Sequence, residues 1–293
     1  MPENTNNKAK SPVRVICFSK DRPFQLKEYL RSLLSMSLDP VDVSILYKNS
    51  DMFAQSYERV KLMFPTVHFV RQFSFFDQVL ELVSGAYKYI QFDVDDSIYY
   101  REFRMQDAFD ALANPEVLNF QWGMHPACNL QQTSGWAPMK VPQFEDHGNF
   151  VCWSRTVGTD SWNWPFKLTA SVYRREVCVE IVRSLGKAVV TTPTTFEMGA
   201  VKFSVKGWLF STRVSRMFAA RRLSACPKRP VSSCIAINVV RDNGPSRTEG
   251  HGAAMAPEHL DTLLAEGREL DLDYYRKRVF NSSHIGDFVL KGS

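Results

Sequence analysis

A chain of 293 residues with 44% hydrophobic and 23% charged residues has the composition of an ordinary globular protein and can bury a sizeable core without disulfide or metal staples. That excludes a disordered chain, and a net charge of +5 is too small by itself to declare a nucleic-acid partner. No uncharged stretch approaches the ~20 residues of a membrane span and the polar start MPENTNNKAKSP has no apolar leader core, so a cytoplasmic protein is expected.

In chain order, VRVICFS (13–19) reads as a buried strand, and Phe24, Leu26, Leu30, Leu33 and Leu34 recur at helical spacing over Pro23 to Met36, with proline at the tolerated first position. VDVSILY (41–47) is a second strand, Phe53 to Met63 a second helix and VHFVRQ a third strand. A third helix over Phe75 to Ser84 is ended by Gly85. YKYIQFDVDDSIYY then begins as a strand and turns acidic as it ends. This alternation predicts an α/β fold with a mostly parallel central sheet flanked by helices.

Beyond Arg101, REFRMQDAFDALANP reads as a helix halted by Pro115 and VLNFQW as a strand. Gln131 to Trp164 has no periodicity and reads as one long loop. VYRREVCVEIVRSLG reads as a strand edge and helix, VVTTPTTFEMGAVKF as strand, turn and helix start. A Gly- and Pro-rich gap (243–257) precedes a short helix near Glu258 to Ala265. The six cysteines form no CxxC pair and sit in apolar runs, so they are expected to be reduced and structural.

The chemistry concentrates at Asp93, Asp95 and Asp96. Ligands of open α/β sheets bind beyond the carboxyl ends of the strands, where this triplet emerges. Packed carboxylates repel unless a cation neutralises them, and Mg²⁺ or Mn²⁺ bridging to a diphosphate would do so. The plainer reading is a solvated turn.

ICFSKDRPFQLKEYLRSL, SILYKNSD, FVRQ and YIQFDVDDSIYYREF, with the later LNFQW, the W-x-W-P-F-K-L-T-A-S-V-Y-R-R pattern, PTTFE and CIAINVVRDN, resemble glycosyltransferases of the nucleotide-sugar-binding GT-A fold, of the family-2-like and exostosin-like kinds. The resemblance implies transfer of a sugar from a UDP- or GDP-linked donor to an acceptor hydroxyl on a glycan, lipid-linked or protein acceptor. It divides the chain into a disordered polar start (1–12), a nucleotide-sugar-binding half (13–103) and an acceptor half (104–293). Asp95 would face the donor, Asp96 would hold Mn²⁺ or Mg²⁺, and Asp93 fills the alternative register of the motif. Ser19, Lys20, Asp21 and Arg22 occupy the loop where such enzymes hold base and ribose. Lys48 and Arg71 end the second and third strands on the same rim. Glu197 stands where the family carries an acidic residue at an acceptor-side helix, the base of an inverting reaction. His284 lies where related enzymes supply a further metal ligand.

Trp136, Trp153, Trp162 and Trp164 crowd the long loop, either as platforms for sugar faces or as cover for a small core. Residues 203–222 read as a basic amphipathic helix, with Phe210, Val214, Met217 and Phe218 on one face. Such a helix either makes peripheral contact with an anionic membrane or packs on its own domain. A sugar nucleotidyltransferase would need a Gly-rich basic loop after the first strand, which FSKDRPF lacks. A non-catalytic carbohydrate or nucleic-acid binding module would suit the charge and the tryptophans but leaves the aspartates unexplained. No nucleic-acid partner is expected.

Overall fold

In the computed structural model, which describes residues 11–131, 137–206, 213–240, 247–248 and 255–292, the chain begins with β1 (Val13–Lys20). Its side chains are apolar on both faces: Val13, Val15 and Cys17 enter one core cluster, Ile16 and Phe18 a second. Only a strand covered on both sides can bury such a run. Helix α1 (Pro23–Met36) follows with the bounds its spacing predicts, proline in its first turn and Phe24, Leu30 and Leu33 fully buried. The alternation continues through β2 (Asp42–Lys48), α2 (Ala54–Met63), β3 (His68–Arg71), α3 (Phe75–Val83) and β4 (Tyr89–Val94). The short β5 (Ser97–Tyr99), α4 (Met105–Ala113) and β6 (Val117–Gln121) come next.

The second half is less regular. It contains β7 (Leu130–Gln131), β8 (Ala137–Pro138), β9 (Glu145–Asp146), β10 (Phe150–Ser154) and β11 (Ser171–Arg174). Helices α5 (Arg175–Leu185), α6 (Pro193–Lys206) and α7 (Arg213–Ala220) lead to β12 (Leu223–Pro227) and β13 (Ser232–Ile235). The small pair β14 (Asn238–Val239) and β15 (Arg247–Thr248), then α8 (Pro257–Ala265), α9 (Leu272–Arg276) and β16 (His284–Ile285) complete it.

The main sheet has the order β3-β2-β1-β4-β11-β6-β12-β10-β9. From β3 to β4 every pairing is parallel; β11 is antiparallel to both β4 and β6, and β10 to both β12 and β9. All strands but β10 and β11 therefore run one way, so the α/β class with a mostly parallel central sheet stands. Residues of α1, α2, α4 and α8 pack in the cluster on one face; those of α3, α5, α6 and α7 pack on the other. A second sheet, β16-β13-β5, sits beside the end of β4 and draws the C-terminal segment to it.

Three expectations are corrected. The long loop contains β10, whose pairing with β12 makes it part of the main sheet. FVCWS is apolar without alternation, so periodicity could not separate it from its surroundings. Val189 and Val190 form no strand; they lie in the turn before α6, with Val190 buried in the second cluster. The expected helix over 203–222 is two, α6 and α7, and Phe210 lies outside the described residues. Val214 and Phe218 are buried in the second cluster, so the apolar face of α7 is turned into the domain. Of the two readings left open for the tryptophans, Trp153 and Trp162 take that of a small core: they are buried, pack edge-on at 4.9 Å, and donate to the carbonyls of Trp162 and Cys128. Trp136 and residues 1–10 lie outside the described residues. All six cysteines are buried and free, as expected.

Candidate functional site

The parallel strands β1 and β4 end side by side with β2 and β3 beyond them, so the loops after them share one edge. The Asp95 amide donates to the Phe18 carbonyl at 3.2 Å, which holds the turn after β4 against the end of β1. On the other side Ile235 N donates to Asp96 O at 2.8 Å, joining the same turn to β13.

The three aspartates are not equivalent. Asp93 is fully buried and points into the sheet interior, where its carboxylate accepts from Tyr99 Oη at 2.5 Å, Gln91 Nε2 at 3.1 Å and Ala170 N at 3.1 Å. It is a structural hub. Burial pushes its carboxyl up to about 6 against those hydrogen bonds. Asp95 and Asp96 instead face Arg22, whose guanidinium reaches both: one amino group lies against Asp95 Oδ1, the other donates to Asp96 Oδ2 at 2.8 Å. Burial raises Asp95 to about 6 while Arg22 opposes the shift. Burial alone would lower Arg22, but the two carboxylates outweigh it and drive its pKa upward.

Asp95 has an exposure of 0% and neither of its oxygens has a hydrogen-bond partner of regular geometry; Asp96 is 11% exposed and accepts from Cys234 Sγ at 3.1 Å. Two adjacent carboxylates with one guanidinium leave a net charge of −1. That residual charge fits a hard cation whose other ligands come from water and phosphate. Among the described residues no group of three or more His, Cys, Asp or Glu side chains is arranged to hold a metal ion, so His284 is not part of a preformed set.

The loop after β1 holds the other candidates. Ser19 is buried and shares a 2.7 Å hydrogen bond with Tyr57 Oη. Asp21 has a φ of 51°, the left-handed region that Asp tolerates better than most residues, and its Oδ1 accepts from Ser50 N at 2.6 Å. Asp21 thus staples the β1 loop to the β2 loop. Lys20 pairs in register with Lys48 and Tyr47 with Arg71, which places Lys48 and Arg71 on the common rim, both exposed.

Across the sheet edge lies a cavity of about 430 Å³ lined by Gln121, Trp164, Lys167, Thr169, Glu197 and His284, among others. Glu197 sits in the second turn of α6; Trp164 Nε1 donates to its Oε1 at 2.8 Å and Leu168 N to its Oε2 at 3.3 Å. Burial raises its pKa, opposed by those donors and by Lys167. Lys167 is itself pushed down to about 8 by burial, with Glu197 opposing. His284 reaches this cavity because β16 pairs with β13, setting Cys234 beside His284 on one side and Ser97 on the other. Burial and Lys167 lower it to about 4, and Asp96 acts the other way, so the ring is neutral at pH 7.

The structure therefore gathers Arg22, Asp95 and Asp96 at one end and Glu197 with His284 at the other, and removes Asp93 to the interior. Sequence reasoning missed Lys167 and Gln121. Lys167 stands inside the WNWPFKLTA run, but nothing local in that run marks it as facing Glu197 from another element.

No family model matches the chain. Bifunctional glycosyltransferase pgtA of Dictyostelium discoideum is 27% identical over 308 aligned residues, covering 95% of this chain and 39% of that protein. The chain thus spans about two fifths of the length of this curated relative. Among solved structures, S. aureus TarS 1–349 in complex with UDP aligns with a TM-score of 0.46 at 10% identity, covering 75% of this chain and 59% of that one. The mannosyltransferase PcManGT from Pyrobaculum calidifontis in complex with GDP-Man and Mn²⁺ aligns at 0.37 and 13%, covering 68% and 55%. The resemblance to glycosyltransferases carried by the motifs is thus matched by a curated relative of that name.

Proposed function

We propose that this chain is a glycosyltransferase that takes a sugar from a UDP- or GDP-linked donor and delivers it to an acceptor hydroxyl. The observation that carries the reading is the placement of two adjacent carboxylates, Asp95 and Asp96, bridged by the single guanidinium of Arg22 at the β1–β4 sheet edge, with a further carboxylate, Glu197, in a cavity whose wall includes His284. Similarity to a relative named a glycosyltransferase over 95% of this chain supports it.

In this reading the donor's nucleotide lies along the rim formed by Ser19, Asp21, Lys48 and Arg71. Asp95 and Asp96 would hold Mn²⁺ or Mg²⁺ against the diphosphate; when bound, such an ion neutralises charge that develops on the departing nucleoside diphosphate. Arg22 keeps the two carboxylates from repelling one another and orients them. Glu197 is the base. Its raised pKa suits proton acceptance near neutral pH, and its anchoring by Trp164 and Leu168 fixes the oxygen that would take the acceptor proton. A base on the acceptor side corresponds to inversion at the anomeric carbon. Lys167 acts against the effect of burial and favours the ionised form of Glu197.

The acceptor belongs to the glycan, lipid-linked or protein hydroxyls. The structure has no helix long and apolar enough to cross a membrane among its described residues, and with Val214 and Phe218 buried, α7 offers basic side chains rather than an apolar face for any membrane contact. The test is thermal denaturation with UDP and with GDP, each with and without Mn²⁺. One nucleotide is expected to raise Tm, more strongly with the metal. No stabilisation by either would overturn the reading.

A further inference from the structure

Behind the Glu197 cavity lies a larger one of about 820 Å³, between α6, α7 and the loop after β10. The two share Asp160 and Trp164 as a common wall. Among the described residues three arginines line it, Arg155, Arg216 and Arg222, against a single carboxylate, Asp160, so that the described lining carries a net charge of +2.

Arg155 is the informative residue. It is only 7% exposed, yet among the described residues it forms no ion pair. Its Nε has no hydrogen-bond partner, and one amino group donates to the Arg221 carbonyl. The ionisable group acting on it is the Tyr173 phenol, which burial keeps neutral. The intervening stretch 207–212 contains no acidic residue in its sequence. A buried guanidinium without a counter-charge is unfavourable in an ordinary core, and an anion seated beside it removes that penalty. Backbone geometry holds it in place, Arg155 N donating to Arg222 O at 3.1 Å, which brings the two arginines to the same side of the cavity.

Resting on the glycosyltransferase reading, we infer that this cavity is an anion-binding subsite for the acceptor, taking a phosphate or another oxyanion carried on the molecule whose hydroxyl enters the Glu197 cavity. The order of elements sets its role. Asp96 acts on His284, His284 lines the cavity of Glu197, and the arginine cavity adjoins that cavity on the side of Trp164. The donor diphosphate belongs at the aspartate end; an anion at the arginine end belongs to the other substrate. Guanidinium groups suit oxyanions because their paired donors match two oxygens at once. The volume is far larger than one phosphate, so the ligand is an anionic group on a larger body, with Trp164 available to a sugar face.

The test is calorimetric titration of the full chain, at constant ionic strength, with a hexose 6-phosphate, the uncharged methyl hexoside and inorganic phosphate. Variants are Arg155→Gln and the double variant Arg216→Ala/Arg222→Ala, whose positions are exposed and whose fold is checked by Tm. The hexose phosphate is expected to bind tighter than either other probe and to weaken at least ~10-fold in the double variant, the loss of about one charge-assisted hydrogen bond. Nucleoside diphosphate affinity is expected to stay unchanged there. Hexose phosphate affinity unaltered in the double variant, or displacement of the hexose phosphate by UDP or GDP, overturns the subsite. Phosphate binding as tightly as the hexose phosphate overturns its assignment to the acceptor. A chain that binds no nucleoside diphosphate but still binds hexose phosphate through these arginines would sink the donor reading and leave the anion site standing.

Discussion

The acidic edge and the Glu197 cavity both bury carboxylates, and they compensate the burial in different ways. At the edge, the charge of Asp95 and Asp96 is met by another charge, Arg22, and the sum stays negative. In the cavity, Glu197 is met mainly by neutral donors, the Trp164 indole and the Leu168 amide, with Lys167 as the charged neighbour. The first arrangement leaves a net negative charge that attracts a cation. The second holds one carboxylate in a fixed position with its proton affinity raised, which is what a proton acceptor needs. Acids in the two places thus acquire different chemistry from their partners.

The sharpest way to break this contrast is Asp96→Ala. It should abolish metal-dependent nucleoside diphosphate binding, read by calorimetry, and with it transfer; wild-type transfer in this variant would end the assignment of the edge. Next in size is Glu197→Gln, which keeps the indole contact but cannot accept a proton. Transfer should fall by about 10²–10⁴-fold while donor binding persists. Loss of donor binding along with transfer would make Glu197 part of the donor site instead.

Asp93→Ala should behave differently from Asp96→Ala. Removing the acceptor shared by Tyr99, Gln91 and Ala170 leaves buried donors unpaired and should cost about 3 kcal/mol in urea denaturation, with nucleotide affinity of the folded variant unchanged. A selective loss of nucleotide binding would restore the alternative register of the motif.

The smallest effect is a pH slope. Burial depresses Lys167 from its ordinary 10.5 to about 8, so between those values the unfolded chain still holds a proton that the folded chain has released. Stability should therefore rise with pH across that window, and Lys167→Met should flatten the rise. An unchanged slope in the variant would show that Lys167 is solvated rather than facing Glu197.

Much of this was open to the sequence. Alternation of apolar runs located β1 to β4 and α1 to α3 within a residue or two, because strands buried on both faces and helices buried on one leave distinct periods. The same alternation placed the aspartates beyond the end of a strand, hence at a sheet edge. Glu197 was found on α6, and Asp95 and Asp96 were separated from Asp93 only as a choice of register.

Tertiary structure decided the rest. The different surroundings of Asp93 and Asp95 depend on where β4 ends, at Val94, and on Tyr99 and Ala170, which come from other segments and donate to the Asp93 carboxylate. β10 became a strand through pairing with β12, some 70 residues on. His284 and Lys167 reached Glu197 through the β13–β16 pairing and the fold of the WNWPFKLTA loop, and among the described residues Arg155 was left without a counter-charge by what surrounds it in space. Periodicity records which face of an element is buried, because burial repeats along the chain. It does not record what the buried face meets, since that is set by contacts between residues far apart in sequence.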